Sequence, residues 1–122
     1  MTAFKVIFFR DNKGHCPVDE YIKKLSTIQQ NKVFAYIKRL EEVGFNLRRP
    51  AGDYLGEKTG LYELRSARHR ILYYFHERKY IILLHAFLKT TVEIPEAEIE
   101  KASFKKEICE VMFKHGLIDL GE

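Results

Sequence analysis

Residues 60–91, GLYELRSARHRILYYFHERKYIILLHAFLKTT, constrain this chain more than any other stretch. Ile, Leu, Tyr and Phe dominate the run, the residue types that fit a pleated, half-buried surface. Its breaks divide it into three predicted strands at 61–66, 69–77 and 80–89, with reversals at Ala67-Arg68 and Arg78-Lys79. Neither reversal carries Gly or Asn, so turn type and register stay open. Strand alternation places Tyr62 and Leu64 on one face and Glu63 and Arg65 on the other. In the next strand it separates Arg70, Leu72 and Tyr74 from Ile71, Tyr73 and Phe75. Arg65, Arg70 and Lys89 lie within or at the ends of these apolar strands. A sheet face carrying several cations is a place for a polyanion.

The rest of the chain supplies a short strand and helices to cover such a sheet. Residues 3–9, AFKVIFF, predict a strand, and Asp11-Asn12-Lys13-Gly14 is turn chemistry. Pro17 suits a first helical position, and Asp19 and Glu20 complement the helix N-terminus. Val18, Tyr21, Ile22 and Leu25 then form one apolar stripe. Ser26 or Thr27, each followed three residues later by Gln, starts a second helix. It directs Val33, Phe34, Ile37, Leu40 and Val43 to the core and stops at Gly44. Residues 45–60 read as an irregular connection without a phosphate-loop pattern, carrying Arg48, Arg49 and Lys58. Pro95, Glu96 and Glu98 open a last helix, with Ile99, Ala102, Ile108, Val111 and Met112 as its apolar stripe and Gly116 beyond its end. The order β-α-α-β-β-β-α is that of an α+β sandwich: a mostly antiparallel sheet with a helical hairpin on one face and a C-terminal helix, all helices on one side, in a single domain over 1–122.

Charge is unevenly distributed. Residues 48–89 carry nine basic and four acidic side chains, whereas residues 90–122 carry four and eight. A basic patch on a small domain is the footprint of a nucleic-acid binder, and equally of an ordinary solvated surface. Cys16 and Cys109 are far apart and show no zinc spacing, which predicts two reduced thiols and no metal. No secretory signal pattern opens the chain and no apolar run approaches the ~18–20 residues of a membrane span. The expected location is cytoplasmic, with no membrane partner and no cofactor. Nucleophile elbows, zincin and deaminase motifs are all missing, which disfavours hydrolysis by a triad or a metal.

GLYELR, RHRILYYF, IILLHAFLKTT and the acidic helix begun by Pro95 resemble the HigB branch of the RelE/ParE toxin superfamily, its phage-derived group. The resemblance covers roughly the whole chain and is most specific over residues 55–102. It implies a RelE-like fold and a ribosome-dependent endoribonuclease that cuts mRNA in the ribosomal A site. It also implies neutralisation by a cognate helix-turn-helix antitoxin of the HigA type. By this resemblance Arg70 matches the family's transition-state arginine, Arg65 the arginine closing Glu-Leu-Arg, and Lys89 the first lysine after the last strand. Thr90 stands where many relatives have a second cation, and Leu61 and Glu63 replace lysines of RelE-type toxins.

RNA cleavage of this kind needs no protein nucleophile, because the ribose 2′-hydroxyl attacks the adjacent phosphate. The enzyme removes that proton, stabilises the phosphorane and helps the 5′-oxygen leave. Arginine suits the stabilising role and cannot be the base near neutral pH. Glu63 and Lys89 are the candidates for the base, with His85 third. Each has a structural alternative: Glu63 and Arg65 as mutual salt-bridge partners, and His85 as a buried, satisfied core histidine. Lys58, Arg68, Arg48 and Arg49 are candidate RNA-backbone contacts. Tyr73 or Tyr74 is a candidate to stack on a base, and His15, His69, His76 and His115 are expected at the surface. Two other readings remain: a ParE-like inhibitor of DNA gyrase without nuclease activity, and an inactive interaction module.

Overall fold

The computed structural model describes residues 4–118. Chain order runs β1 (Lys5–Phe8), α1 (Pro17–Lys23), α2 (Thr27–Val43), a 3-10 turn (Gly44–Asn46), β2 (Gly52–Tyr54), β3 (Tyr62–Ser66), β4 (His69–His76), β5 (Tyr80–Leu88) and α3 (Glu96–Lys114). Ala3, expected to open the first strand, lies outside the described residues. The sheet order is β1-β5-β4-β3-β2, with β1 parallel to β5 and every other pair antiparallel.

Local signals explain most of these elements. Pro17 opens α1, and the Ser26 side chain caps α2 by accepting from Gln29 N at 3.2 Å. Gly44 ends α2 at φ +53°, donating its N–H to Leu40 O; a Cβ there would meet the Phe4 ring at 1.9 Å. The two hairpins close without glycine: Ala67, Glu77 and Arg78 adopt φ of 54°, 54° and 56°. Strand pairing on either side therefore outweighs a left-handed cost of roughly 1–2 kcal/mol per residue. Ser26→Ala is expected to lower stability by about 1 kcal/mol in urea denaturation, since it strips one orphan N–H of its acceptor.

Helices cover both faces of the sheet, which corrects the expectation that all lie on one side. Val18 and Ile22 of α1 and Val33, Ile37 and Leu40 of α2 pack on Leu64, Ile71, Tyr73, Ile81 and Leu83. On the opposite face, Ala102 and Cys109 of α3 pack with Leu61, Leu72, Tyr74, Ile82 and Leu84. The cause is the composition of β4 and β5, which are apolar on both faces and must be covered twice. Phe34, assigned to the core by spacing, is 43% exposed, and Val111 of α3 turns outward.

Two features were invisible to periodicity. β2 lies within the stretch read as irregular; it pairs Gly52, Asp53 and Tyr54 with Leu64, Glu63 and Tyr62. A bulge on β5 pairs Leu72 with His85 but Tyr73 with Leu83, leaving Leu84 as the extra residue. The bulge reverses the alternation beyond it. Leu84 and Phe87 thus share the α3 face, while Ala86 joins the α1–α2 face.

Candidate active site

Register brings the sequence-selected residues onto the α3 face at the end of the sheet nearest the β3–β4 turn. Glu63, Leu72 and His85 form one cross-strand row, and Arg65, Arg70 and Phe87 form the next. Arg65 and Arg70 are direct cross-strand neighbours, a placement of like charges that needs an anion nearby.

Glu63 supplies it. Its side chain is fully buried, and Oε1 accepts from Arg65 Nε and lies 3.7 Å from Arg70 Nε. Asp53 adds a second anion from β2: its Oδ2 lies 2.7 Å from Arg49 Nη2 and 3.5 Å from Arg65 Nη2. The Arg49 hydrogen bond holds Asp53 below the ordinary carboxylate range, against the opposing effect of its partial burial. Arg70 donates Nη1 to Ala67 O at 2.7 Å and to His69 O at 3.0 Å. Burial pulls the Arg70 pKa down, Glu63 opposes this and Arg65 adds to it; arginine nonetheless stays charged at any physiological pH. Glu63 Oε2 and Arg70 Nε are buried without a protein hydrogen-bond partner. The arginine side chains keep 27% and 12% of their surface exposed, for Arg65 and Arg70 respectively. The result is a chain of alternating charge, Arg49–Asp53–Arg65–Glu63–Arg70, that anchors two guanidiniums side by side.

Other candidates are distributed around this network. Lys89 is half-buried just beyond β5, its N–H bonded to Arg68 O at 2.8 Å, and its ammonium has no ion-pair partner among the described residues. Arg68 is exposed on the β3–β4 turn at the same end. Arg49 joins the network through Asp53, whereas Arg48 is exposed and donates to Phe45 O. Lys58 lies before β3, at the opposite end of that strand, and lines a groove beside α3. Tyr73 and Tyr74 are buried on opposite faces, so neither presents a ring for stacking. Asp53 was missed by sequence reasoning; the alternation of Gly52-Asp53-Tyr54 is too short to register as a strand.

Two histidines expected at the surface are enclosed. His69 is buried with Nδ1 2.7 Å from Tyr21 Oη, and His76 stacks on Phe113 at 3.8 Å. His85 is buried and satisfied on both nitrogens: Nε2 lies 2.7 Å from Glu98 Oε2 and Lys105 Nζ lies 3.1 Å from Nδ1. A lysine donor at Nδ1 assigns the neutral tautomer with hydrogen on Nε2. Burial lowers the His85 pKa, the Glu98 hydrogen bond opposes this, and the charges of Lys105 and Lys101 reinforce it. Burial likewise lowers His69, helped by the neighbouring Arg70 charge. A histidine with a depressed folded value binds fewer protons in the native state than in the unfolded chain. Stability is therefore present above the unfolded value of about 6.5 and lost as pH falls through it toward the folded values. The melting temperature is expected to drop between pH 7.5 and 5.5, and His85→Gln is expected to flatten part of that slope. A melting temperature independent of pH would contradict the assigned neutral forms.

Cys16 and Cys109 are buried free thiols, and burial together with Glu110 pushes Cys109 up to about 12, far from nucleophilic at neutral pH. Among the described residues no group of three or more His, Cys, Asp or Glu is arranged to hold a metal ion, and no helix is long and apolar enough to cross a membrane. What the arginine pair offers is fixed positive charge at a partly exposed sheet face, with donors whose direction is set by the buried Glu63 and the partly buried Asp53.

Residues 20–107 match a family model described as phage-derived protein Gp49-like. No curated protein matches the chain.

Proposed function

The chain belongs to the Gp49-like family of phage-derived proteins, a RelE/ParE-like toxin family, and from that premise we propose that it is a HigB-like toxin that cuts mRNA on the ribosome. The observation that carries this reading is the pairing of Arg65 with Arg70 across β3 and β4, both guanidiniums anchored by Glu63 and still partly exposed. Two fixed guanidiniums match the charge that builds on phosphate oxygens when a 2′-hydroxyl attacks. The products are a 2′,3′-cyclic phosphate and a new 5′-hydroxyl end.

In this proposal Arg70 and Arg65 stabilise the phosphorane. Glu63, enclosed between them, holds their geometry; a carboxylate without solvent exposure does not reach a ribose hydroxyl. Lys89 is the proton-transfer candidate, being half-buried, at the right end of the sheet and unpaired among the described residues. His85 is engaged by Glu98 and Lys105, which leaves it a packing role. Arg68 and Arg49 extend the phosphate-tracking surface. Arg48 and Lys58 stand apart from the network and are the peripheral members of the proposed RNA path. A toxin of this family implies an antitoxin partner; a HigA-like helix-turn-helix protein is the form proposed here.

The test is cleavage of a reporter mRNA by purified protein, with and without programmed ribosomes. Ends are mapped and assayed for 2′,3′-cyclic phosphate. Ribosome-dependent cuts within codons are expected. Growth arrest by protein that cleaves nothing under either condition would replace this reading with a non-nuclease inhibitor, such as one acting on DNA gyrase.

A further inference from the structure

Two helices on opposite faces of the sheet carry stripes that match one another. On α3, Glu100, Phe104, Glu107 and Val111 are all exposed. On α2, Ile28, Lys32, Ala35 and Arg39 are exposed at the same spacing of four, three and four residues. That spacing keeps each set in one line along its helix, about 16 Å long. Ile28, Phe104 and Val111 keep 69%, 64% and 56% of their surface in water, and none packs in either core. Lys32, Arg39, Glu100 and Glu107 have no ion-pair partner among the described residues. Beside the α3 stripe runs a groove of about 720 Å³, lined by Glu96, Glu100, Glu107 and Glu110 against Lys58 and Lys106. Lys106 is turned inward: its Nζ lies 3.9 Å from Glu110 Oε1 and 5.5 Å from the centre of the Tyr74 ring. The balance of charge at this face is therefore acidic.

We propose that this face of α3 takes the α2 helix of a second copy of this chain, the two helices running antiparallel. In that direction all four positions match. Ile28 meets Val111, Lys32 meets Glu107, Ala35 meets Phe104 and Arg39 meets Glu100. The small Ala35 leaves room for the Phe104 ring. Glu42, exposed one turn beyond Arg39, falls opposite Ala97 rather than a carboxylate. A parallel arrangement of the same stripes matches none of them: Ile28 would face Glu100, Lys32 Phe104, Ala35 Glu107 and Arg39 Val111. A two-fold contact of α3 with α3, or of α2 with α2, would set like charges against one another. Complementary charge in a fixed register is what selects one partner and one orientation. Because α2 and α3 cover opposite faces of the sheet, the two stripes of one copy do not meet each other, and the contact is head-to-tail. One helix pair is a small interface, so the association is weak and grows with concentration. None of the eight residues belongs to the arginine network, so the proposal does not rest on nuclease activity.

The test is sedimentation equilibrium of the purified full chain from micromolar to millimolar concentration. The average mass is expected to rise above that of the monomer with concentration, and to fall back as salt screens the ion pairs. Lys32→Glu with Arg39→Glu makes both stripes acidic, and Glu100→Lys with Glu107→Lys makes both basic. Each of these variants alone is expected to weaken association about tenfold or more at a nearly unchanged melting temperature. Mixing the two variants sets every stripe against one of opposite charge and is expected to restore association, which neither partial unfolding nor a general effect of net charge would do. A chain that stays monomeric at millimolar concentration would overturn the proposal and leave the two stripes to foreign partners. Self-association that neither reversal weakens, or that mixing does not restore, would overturn it as well.

Discussion

Glu63→Gln is expected to destabilise the protein by roughly 3–5 kcal/mol, the range for leaving buried charge uncompensated. The substitution nearly conserves shape, so packing changes little. What changes is charge: Arg65 and Arg70 are cross-strand neighbours, and Glu63 is the anion that lies against both. Asp53 compensates Arg65 only in part, at 3.5 Å, and is already engaged by Arg49. Arg70 keeps its two main-chain acceptors but has no carboxylate left. Urea denaturation measures the loss. Adding Arg70→Gln to Glu63→Gln removes the stranded cation and is expected to recover a substantial part of the stability, a non-additivity that a double-mutant cycle detects. A loss below about 1 kcal/mol would mean that Glu63 does not organise the network. At a temperature where the single variant is fully folded, residual cleavage well above that of an Arg70 variant is expected, since both arginines remain; cleavage as low as that of the Arg70 variant would contradict a purely positioning role for Glu63.

Arg70→Ala is expected to reduce cleavage about 100-fold or more, the size of effect seen when one oriented donor to a transition-state oxyanion is removed. Its cost in stability is expected to be about 1–2 kcal/mol, because Glu63 keeps Arg65 as its counter-ion and what is lost is hydrogen bonding to Ala67 O and His69 O. Arg70→Lys is expected to restore little, since an ammonium is a point donor and cannot present the planar fork. The measurement pairs single-turnover cleavage on programmed ribosomes with the melting temperature of each variant. If activity falls only in proportion to the folded fraction, Arg70 is a structural cation and the nuclease assignment fails with it.

How much of this was legible beforehand depends on the range over which each signal acts. The positions of β3, β4 and β5, the Pro17 and Ser26 helix starts and the stop at Gly44 follow from residue types a few positions apart. So does the division of β3 that sends Glu63 and Arg65 to the face opposite Leu64, because side-chain alternation is a local property of an extended chain. Arg65 and Arg70 were therefore visible as cations of one neighbourhood before any coordinates.

Their partners were not. Asp53 reaches Arg65 only because three residues of β2 pair with β3, a contact whose stabilisation comes from the neighbouring strand rather than from any propensity of Gly52-Asp53-Tyr54. The bulge at Leu84 moves His85 onto the α3 face, where Glu98 and Lys105 meet it; strict alternation would have sent it to the other side. The side of the sheet that α3 covers was likewise decided by tertiary burial, because β4 and β5 present apolar side chains to both faces and one helical layer satisfies only one of them. The sequence by itself determined β1, β3, β4 and β5, the helix ends and the placement of two arginines within the sheet. Register between distant strands and the energetic need to cover both apolar faces decided which carboxylates hold those arginines.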